Sequence, residues 1–415
     1  MRARIAGSCL IAAVIMFGSG TSLADTAGAS GADRASADTT GASEHRHTPP
    51  AAATLDSTVV EVPMDLATGR PIVLVALNGH GPYRFILDTG AGGTIVDATL
   101  AQRLALPIVG RDSLGDPAHP STMQAVVVRA RSITLGGVKL EGVNMTAFDL
   151  RRMIGPGYGG VLGLPDLQAF LLTLDFPQGR IRITLGEMKG IDSTLVQYQS
   201  PDGIISIPVQ FNGSTFSAHL DSGSSGGFMF PRTRSDELSF KSDPVEIGKA
   251  GTVSNTATVW LAQLDGEIRF AGLSFPDPEV RLSDLHGSSA NIGFDVLRDL
   301  TMTIDQRNHR LRLERTGTPE SQPHPPRRLT GVILAGMRPG AAGPATTKGG
   351  LKIEGIVPGS PADQAGLIAG DVILSINGRA ARTLSPEEIA QIFQGSQRLN
   401  LIVRREGNKI TVSIE

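Results

Sequence analysis

Two short segments decide the fold: residues 85–91 read FILDTGA, and residues 218–224 read AHLDSGS. In each, a largely apolar run ends in an aspartate, which is followed by a hydroxyl residue and a glycine. This pattern is typical of a buried strand that delivers a carboxylate to a tight turn. Glycine lets the backbone fold back there, and neighbouring amides can point at the acid. Its occurrence twice in one chain indicates a duplicated unit.

The surrounding sequence repeats with nearly the same offset. An Asn-Gly turn follows an apolar strand at Asn78 and again at Asn212, which is typical of a hairpin. Further matching pairs of segments are 133–137 with 268–272, 161–167 with 291–297, and 173–183 with 303–313. The last pair consists of two alternating strands joined by a polar turn. The sequence therefore predicts a small all-β unit that is used twice.

Composition limits the remaining possibilities. The 415 residues include 50 Gly and 26 Pro, which favours strands and tight turns over a helical bundle. The length suggests two to four domains. With 38 basic and 40 acidic residues, a net charge of -2 and no basic stripe, a nucleic-acid partner is not expected. The single cysteine, Cys9, excludes an internal disulfide.

The N-terminus predicts export. Arg2 and Arg4 precede an apolar run and a small-residue site ending at Ala24, so we interpret residues 1–24 as a cleavable signal peptide. The run is too short for a membrane span, so no stable span is expected after cleavage. A mature chain without cysteine fits the periplasm of a bacterial envelope. Residues 25–54 are interpreted as a flexible linker, in which His45 and His47 are expected to be solvated rather than to bind metal.

The duplication sets the domain boundaries. We assign residues 55–190 to a first lobe and residues 191–315 to a second. A proline-rich linker without apolar periodicity follows at residues 316–328, and a last domain occupies residues 329–415.

The duplicated unit resembles the aspartic proteases of the retropepsin and pepsin clan. Residues 88–91 (DTGA) and 221–224 (DSGS) resemble the catalytic signatures of that family, and Leu162-Gly163 and Ile292-Gly293 resemble its apolar-Gly element. The resemblance covers residues 68–314. It implies a mainly β, bilobal fold, with the active site in a cleft between two lobes of one chain. A glycine-containing flap is then expected near Leu114-Gly115 and Gly251-Thr252.

The resemblance assigns the catalytic roles to Asp88 and Asp221. The turn residues that would support them are Thr89, Gly90, Ser222 and Gly223. Two carboxylates about 3 Å apart would repel by roughly 5 kcal/mol, so the pair should share one proton. One carboxyl could then activate water while the other polarises a peptide carbonyl, and the residues alone do not say which is the base.

No cofactor and no metal are expected, because no ligand spacing of a known metal site occurs. His219 lies two residues before the second aspartate, and two roles are possible for it. We interpret it as a packed histidine rather than a catalytic base. If it were protonated, its charge would favour ionisation of the acid pair.

The last domain resembles the PDZ domains attached to bacterial envelope proteases, on residues 357–362 (VPGSPA), 365–367 (AGL) and 370–378 (GDVILSING). This small α+β domain is expected to take an extended C-terminal peptide as an added strand. Residues 329–332, namely Leu329, Thr330, Gly331 and Val332, resemble a carboxylate-binding loop. A helix is expected from Ser385 through Phe393. The alternative is a purely structural module.

The sequence thus predicts an exported aspartic endopeptidase that acts on peptides or unfolded proteins, with a PDZ module that binds substrate or partner C-termini. Another reading is a catalytically silent scaffold that uses the cleft and the PDZ groove only for binding. A latent protease that needs a partner or acid for activation is a third.

Overall fold

The computed structural model describes residues 47–115, 122–190, 194–200, 203–241, 243–251, 256–315, 330–334, 346–347, 349–356, 360–384, 388–389, 392–393 and 398–414. The predicted signal peptide, most of the predicted linker 25–54 and the whole predicted linker 316–328 lie outside these residues. The described chain is mainly β, as the sequence predicts.

The first lobe is built around one eight-stranded sheet. The strands of this lobe are β1 (Ala52–Leu55), β2 (Val59–Pro63), β3 (Ile72–Leu77), β4 (His80–Asp88), β5 (Ile95–Asp97), β6 (Ile108–Gly115), β7 (Thr122–Leu135), β8 (Val138–Phe148), β9 (Gly160–Gly163), β10 (Leu171–Asp175) and β11 (Arg180–Thr184). Of these, β2, β10 and β11 belong to a different sheet. Short helices are α1 (Ala98–Arg103), α2 (Arg151–Ile154) and a 3₁₀ turn at Leu164–Leu167. The sheet order is β1-β8-β5-β9-β4-β3-β7-β6.

The second lobe is built around a nine-stranded sheet. The strands of this lobe are β12 (Leu195–Gln197), β13 (Ser206–Phe211), β14 (Ser214–Asp221), β15 (Phe228–Phe230), β16 (Val245–Gly251), β17 (Thr256–Gln263), β18 (Glu267–Phe270), β19 (Leu273–Pro276), β20 (Glu279–Leu282), β21 (Ala290–Gly293), β22 (Leu300–Asp305) and β23 (Arg310–Arg315). Of these, β12, β22 and β23 belong to a different sheet. A 3₁₀ helix spans Arg232–Glu237, and α3 spans Phe294–Leu297. The sheet order is β16-β17-β20-β15-β21-β14-β13-β18-β19.

The two lobes share one plan. In each, the strand that ends in aspartate pairs with its antiparallel hairpin partner on one side and with a parallel strand on the other: β3-β4-β9 in the first lobe, β13-β14-β21 in the second. The predicted Asn-Gly turns are present, because Asn78 and Gly79 have φ of 52° and 80°, and Asn212 and Gly213 have φ of 45° and 90°. Glycine and asparagine tolerate this left-handed backbone better than other residues.

A third sheet, which the sequence did not predict, joins the lobes. Its order is β12-β23-β22-β10-β11-β2, so the closing hairpins of both halves lie side by side. Strands β10 and β22 pair antiparallel, with Thr173 opposite Thr303. Alternate residues of these hairpins point into one large core that also receives the central strands of both lobes. The lobes are therefore fixed to each other by a continuous sheet and a common apolar core.

Two antiparallel hairpins occupy the positions expected for flaps. Strands β6 and β7 pair up to Gly115, and strands β16 and β17 pair up to Gly251. Near the turn end of the first hairpin, Leu114 is fully buried, while its strand partner Met123 is exposed. The predicted flap residue Thr252 lies outside the described residues.

The last domain has its own apolar core. Its strands are β24 (Val332–Leu334), β25 (Thr346–Thr347), β26 (Gly350–Ile356), β27 (Val372–Ile376), β28 (Arg379–Ala380), β29 (Leu399–Arg405) and β30 (Asn408–Ile414). The main order is β24-β26-β27-β29-β30. Helix α4 spans Pro361–Gln364, and a 3₁₀ turn spans Ala381–Thr383. Of the predicted helix from Ser385 to Phe393, the described residues at positions 388, 389, 392 and 393 are helical.

The N-terminal part of the first lobe begins earlier than the boundary at residue 55. Strand β1 already pairs with β8, with Ala52 opposite Glu141. His47 Nε2 lies 3.1 Å from Asp166 Oδ1, so this histidine contacts the lobe, contrary to the prediction that it is solvated. In the part of the chain that the structure describes, no helix is both long and apolar enough to cross a membrane.

Candidate active site

Strands β4 and β14 deliver their terminal aspartates to the same place. Asp88 pairs in parallel register with Gly163, and Asp221 pairs with Gly293. A side chain at Gly163 would lie 2.7 Å from the Gly93 carbonyl group, and one at Gly293 would collide with a backbone oxygen behind the second turn. The apolar-Gly elements therefore pass close behind the two aspartate turns, as the resemblance implied.

Four reciprocal hydrogen bonds connect the turns. The Thr89 hydroxyl donates to the Leu220 carbonyl at 2.6 Å and accepts from the Ser222 amide at 3.0 Å. The Ser222 hydroxyl donates to the Leu87 carbonyl at 2.7 Å and accepts from the Thr89 amide at 3.0 Å. All of these groups are buried. The predicted hydroxyl residues therefore hold the two lobes in a fixed register at the acid pair.

The two carboxyl groups lie close enough for each to affect the ionisation of the other. Asp88 is 1% exposed and Asp221 is fully buried. The Gly90 amide donates to Asp88 Oδ1 at 2.7 Å, and the Ser224 amide donates to Asp221 Oδ1 at 2.8 Å. The structure thus brings both predicted aspartates together, with backbone donors aimed at each.

Burial controls the protonation of the pair. It raises the pKa of Asp88 to about 6, against the opposing effect of the Gly90 amide. Burial also raises the pKa of Asp221 well above its usual value, and the neighbouring charge of Asp88 raises it further. Between these two ionisations the pair carries one proton, so it offers one base and one acid. This is the state that can both deprotonate water and polarise a carbonyl.

The packing behind the two aspartates differs between the lobes. By strand register, three aliphatic positions of the first lobe correspond to polar positions of the second: Ile72 to Ser206, Ile86 to His219 and Val161 to Asn291. All six residues are buried. Asn291 Nδ2 donates to Asp221 Oδ2 at 3.2 Å, an interaction that the first lobe cannot make. The sequence analysis missed Asn291, although a polar residue in an otherwise apolar repeat was a visible signal.

His219 lies on this polar side of the second lobe. Burial lowers the pKa of His219 to about 4, so the imidazole is neutral where the acid pair titrates. Its neighbour His286 is buried as well, and burial lowers the pKa of His286 to about 3. This supports the interpretation of His219 as a packed residue and removes the basis for a charge effect on the pair.

The sequence analysis also missed a buried cation beside the acid pair. Arg70 immediately precedes Pro71, whose carbonyl accepts a hydrogen bond from the Leu87 amide at 2.8 Å. The Arg70 side chain is buried, and its charge acts on both Asp88 and Asp221. A charged residue at the start of an apolar strand in only one half was the available signal.

The predicted peptide-binding loop of the last domain is partly described. Leu329 lies outside the described residues. Thr330 is buried, and its carbonyl accepts from the Ala362 amide at 2.9 Å, while Gly331 has a φ of 78°. Val332 begins strand β24, which among the described strands is paired only with β26 and stands at the end of the sheet order. The loop therefore leads into an edge strand.

Within the described residues, no group of three or more histidine, cysteine, aspartate or glutamate side chains is placed to hold a metal ion.

Comparison with known protein families agrees with this geometry. A family described as aspartyl protease matches residues 73–166 and again residues 207–296, so each match contains one of the two aspartate turns. A family described as PDZ domain matches residues 352–405. The chain therefore contains an aspartyl protease domain in two parts, followed by a C-terminal PDZ domain.

Proposed function

We propose that this protein is an aspartic endopeptidase whose catalytic groups are Asp88 and Asp221. The observation that carries the proposal is the close approach of these two buried and mutually interacting carboxyl groups, held by the reciprocal bonds of Thr89 and Ser222. A site built only to bind peptides would not need two carboxyl groups in contact, since burying them costs free energy.

The proposed reaction is direct attack by water. The ionised carboxyl takes a proton from water while the protonated carboxyl donates its proton to the oxygen of the peptide carbonyl. A new carbon–oxygen bond forms and gives a neutral diol. The carbon–nitrogen bond then breaks as the leaving nitrogen takes the proton from the base, and a diol hydroxyl returns a proton to the acid. No covalent enzyme intermediate is formed.

We further propose that the PDZ domain binds C-termini of substrates or partners. The edge of β24 is not paired in the described sheet, and it directly follows the loop at Thr330 and Gly331. An extended peptide could therefore add to this edge as another strand, with backbone amides of the loop near its carboxylate. The features of residues 1–24 support export to the periplasm as part of the same proposal.

Digestion of a peptide library over a range of pH tests the enzymatic proposal. We expect internal cleavage, inhibition by a statine-type peptide, and incorporation of one ¹⁸O from labelled water into each new carboxyl group. The acidic limb of the pH profile should lie near pH 6, because the base forms as Asp88 ionises. If no peptide is cleaved at any pH while the statine-type peptide still binds, the protein uses its cleft for binding only.

A further inference from the structure

The acid pair lies in an asymmetric electrostatic environment. Because the two lobes are duplicates, each position beside one aspartate can be compared with the equivalent position beside the other. The register of β3 with β4 places Ile72 opposite Ile86, and the Leu87 amide bonds to the Pro71 carbonyl. Extending this register by one more residue places Arg70 opposite Asp88.

The second lobe repeats this arrangement with an apolar residue. Ile207 lies opposite Ala218, and the Leu220 amide bonds to the Ile205 carbonyl at 3.0 Å. Extending this register by one more residue places Ile204 opposite Asp221, and Ile204 is fully buried. Arg70 and Ile204 therefore occupy equivalent positions beside the two aspartates, and only the first carries a charge.

Arg70 is held as a buried cation. Its side chain is 8% exposed, and Nε has no hydrogen-bond partner among the described residues. No carboxylate of those residues lies within ion-pair distance of its guanidinium. Burial lowers the pKa of Arg70, while interactions with Tyr158, Asp221 and Asp88 favour its protonated form. A buried cation without a close counterion is costly, so its free energy depends on negative charge in the acid pair.

The other groups around the pair do not supply an equivalent charge. Burial keeps His219 and His286 neutral in the range where the pair titrates. Asn291 is uncharged and donates one hydrogen bond to Asp221. The charge of Arg70 acts on both carboxyl groups and lowers the pKa of Asp88, and the charge of Asp88 raises the pKa of Asp221.

Resting on the proposed function, we propose that Arg70 is a positioning residue that fixes the single proton of the pair on Asp221. Asp88 is then the general base that deprotonates water, and Asp221 is the general acid that protonates the peptide carbonyl. Arg70 acts through Asp88 and does not itself transfer a proton.

Carboxyl titration in the full-length protein tests this without relying on turnover. Aspartate carrying ¹³C in the carboxyl group gives one NMR signal for each site, and the signals of the pair are assigned by their loss in Asp88→Asn and Asp221→Asn. We expect Asp88 to ionise first as pH rises, with Asp221 keeping its proton. If Asp221 ionises first in the wild-type protein, the proposal is wrong even if peptides are cleaved.

Variants test the part played by Arg70. In Arg70→Met we expect the ionisation of Asp88, and the acidic limb of peptide hydrolysis, to move upward by about one pH unit, because removing a nearby positive charge disfavours the carboxylate. Arg70→Lys keeps the charge and should restore most of the wild-type position. Ile204→Met introduces the same side chain at the equivalent position of the second lobe. It should leave unchanged both the ionisation of Asp88 and the acidic limb of peptide hydrolysis.

An unmoved Asp88 ionisation in Arg70→Met would overturn the proposal, and so would an equal shift in Ile204→Met. If Arg70→Met does not fold, Arg70→Gln serves as the second neutral variant, and the order of ionisation in the wild-type protein remains decisive. Absence of hydrolysis with the expected titration would contradict the proposed function alone.

Discussion

Thr89 and Ser222 exchange hydrogen bonds across the two lobes, each hydroxyl donating to the other lobe's carbonyl and accepting from the other lobe's amide. The residues are 133 positions apart in sequence. Their contact is therefore a tertiary interaction that fixes the distance between the aspartates that precede them.

Replacing Thr89 by Val should both destabilise the protein and impair hydrolysis. The change leaves the Leu220 carbonyl and the Ser222 amide buried without their partner, which costs roughly 2–4 kcal/mol in the free energy of unfolding. Turnover should fall at least about tenfold as the turns lose their register. Thr89→Ser keeps the hydroxyl and should retain most of both properties.

Thr173→Val provides a matched control for this prediction. Thr173 also contacts the other lobe, but its hydroxyl lies 3.4 Å from that of Thr303, which makes the interaction weak. We expect little change in stability or turnover, measured by denaturant unfolding and peptide hydrolysis. A loss equal to that of Thr89→Val would mean that any lobe contact, rather than the reciprocal bonds, accounts for the effect.

Gly223 should tolerate no side chain, because of Asp88. A methyl group there would lie 2.8 Å from Asp88 Oδ1 and would overlap the rest of the carboxyl group. Gly223→Ala should therefore displace this carboxyl and lower kcat/KM about a hundredfold or more. Gly227→Ala is the control, because the nearest atom to its methyl group would be Val296 Cγ2 at 4.0 Å. Similar kinetics for the two variants would show that Asp88 is not held as described.

The buried histidines of the second lobe should make the fold sensitive to acid. The pKa of His286 is about 3 in the folded protein and about 6.5 when unfolded, so the unfolded state binds more protons as pH falls below 6.5. Each pH unit between these values lowers stability by at most about 1.4 kcal/mol through this residue. The raised pKa values of Asp88 and Asp221 act in the opposite direction, so a variant must isolate the effect.

His286→Leu should therefore become more stable relative to the wild-type protein as pH is lowered from 7 to 4. Denaturant unfolding at several pH values measures this difference. A stability difference that does not vary with pH would show that His286 is not held neutral in the folded protein.

The PDZ domain should act on substrate selection rather than on chemistry. Deleting residues 329–415 should spare cleavage of short peptides but raise the apparent KM for an unfolded protein with an accessible C-terminus, since tethering raises effective concentration. Because the domain has an apolar core of its own, its deletion should leave the cores of the two lobes intact. Kinetics on one short peptide and one unfolded protein distinguish the alternatives, because an equal change on both would rule out a docking role.

Much of the fold was predictable because the sequence is duplicated, so a strand or turn pattern found in one half could be tested against the equivalent segment of the other half. The Asn-Gly turns, the strands ending in aspartate and the closing hairpins all follow from local sequence patterns. The six-stranded sheet that joins the lobes did not follow, because pairing of β10 with β22 is a contact between distant segments with no local signal.

The candidate site was predictable only in its repeated parts. Asp88 and Asp221 were found because both occur in the same motif, whereas Arg70 and Asn291 occur in one lobe each and match nothing in the other. Their importance depends on burial and on proximity to the acid pair, which a strand pattern does not reveal. Functional residues that occur in only one half of a duplicated site can therefore be identified only once the structure is known.

The most direct test of the account compares peptide hydrolysis by the wild-type protein, Asp88→Asn and Asp221→Asn, each alone and with the two variants mixed. Because one pair needs both carboxyl groups, we predict that each variant loses at least about a thousandfold in turnover while its thermal unfolding remains cooperative. Mixing should restore nothing, since both aspartates of a pair belong to one chain. Near wild-type turnover in either variant, or recovery of activity on mixing, would contradict a single-chain catalytic pair.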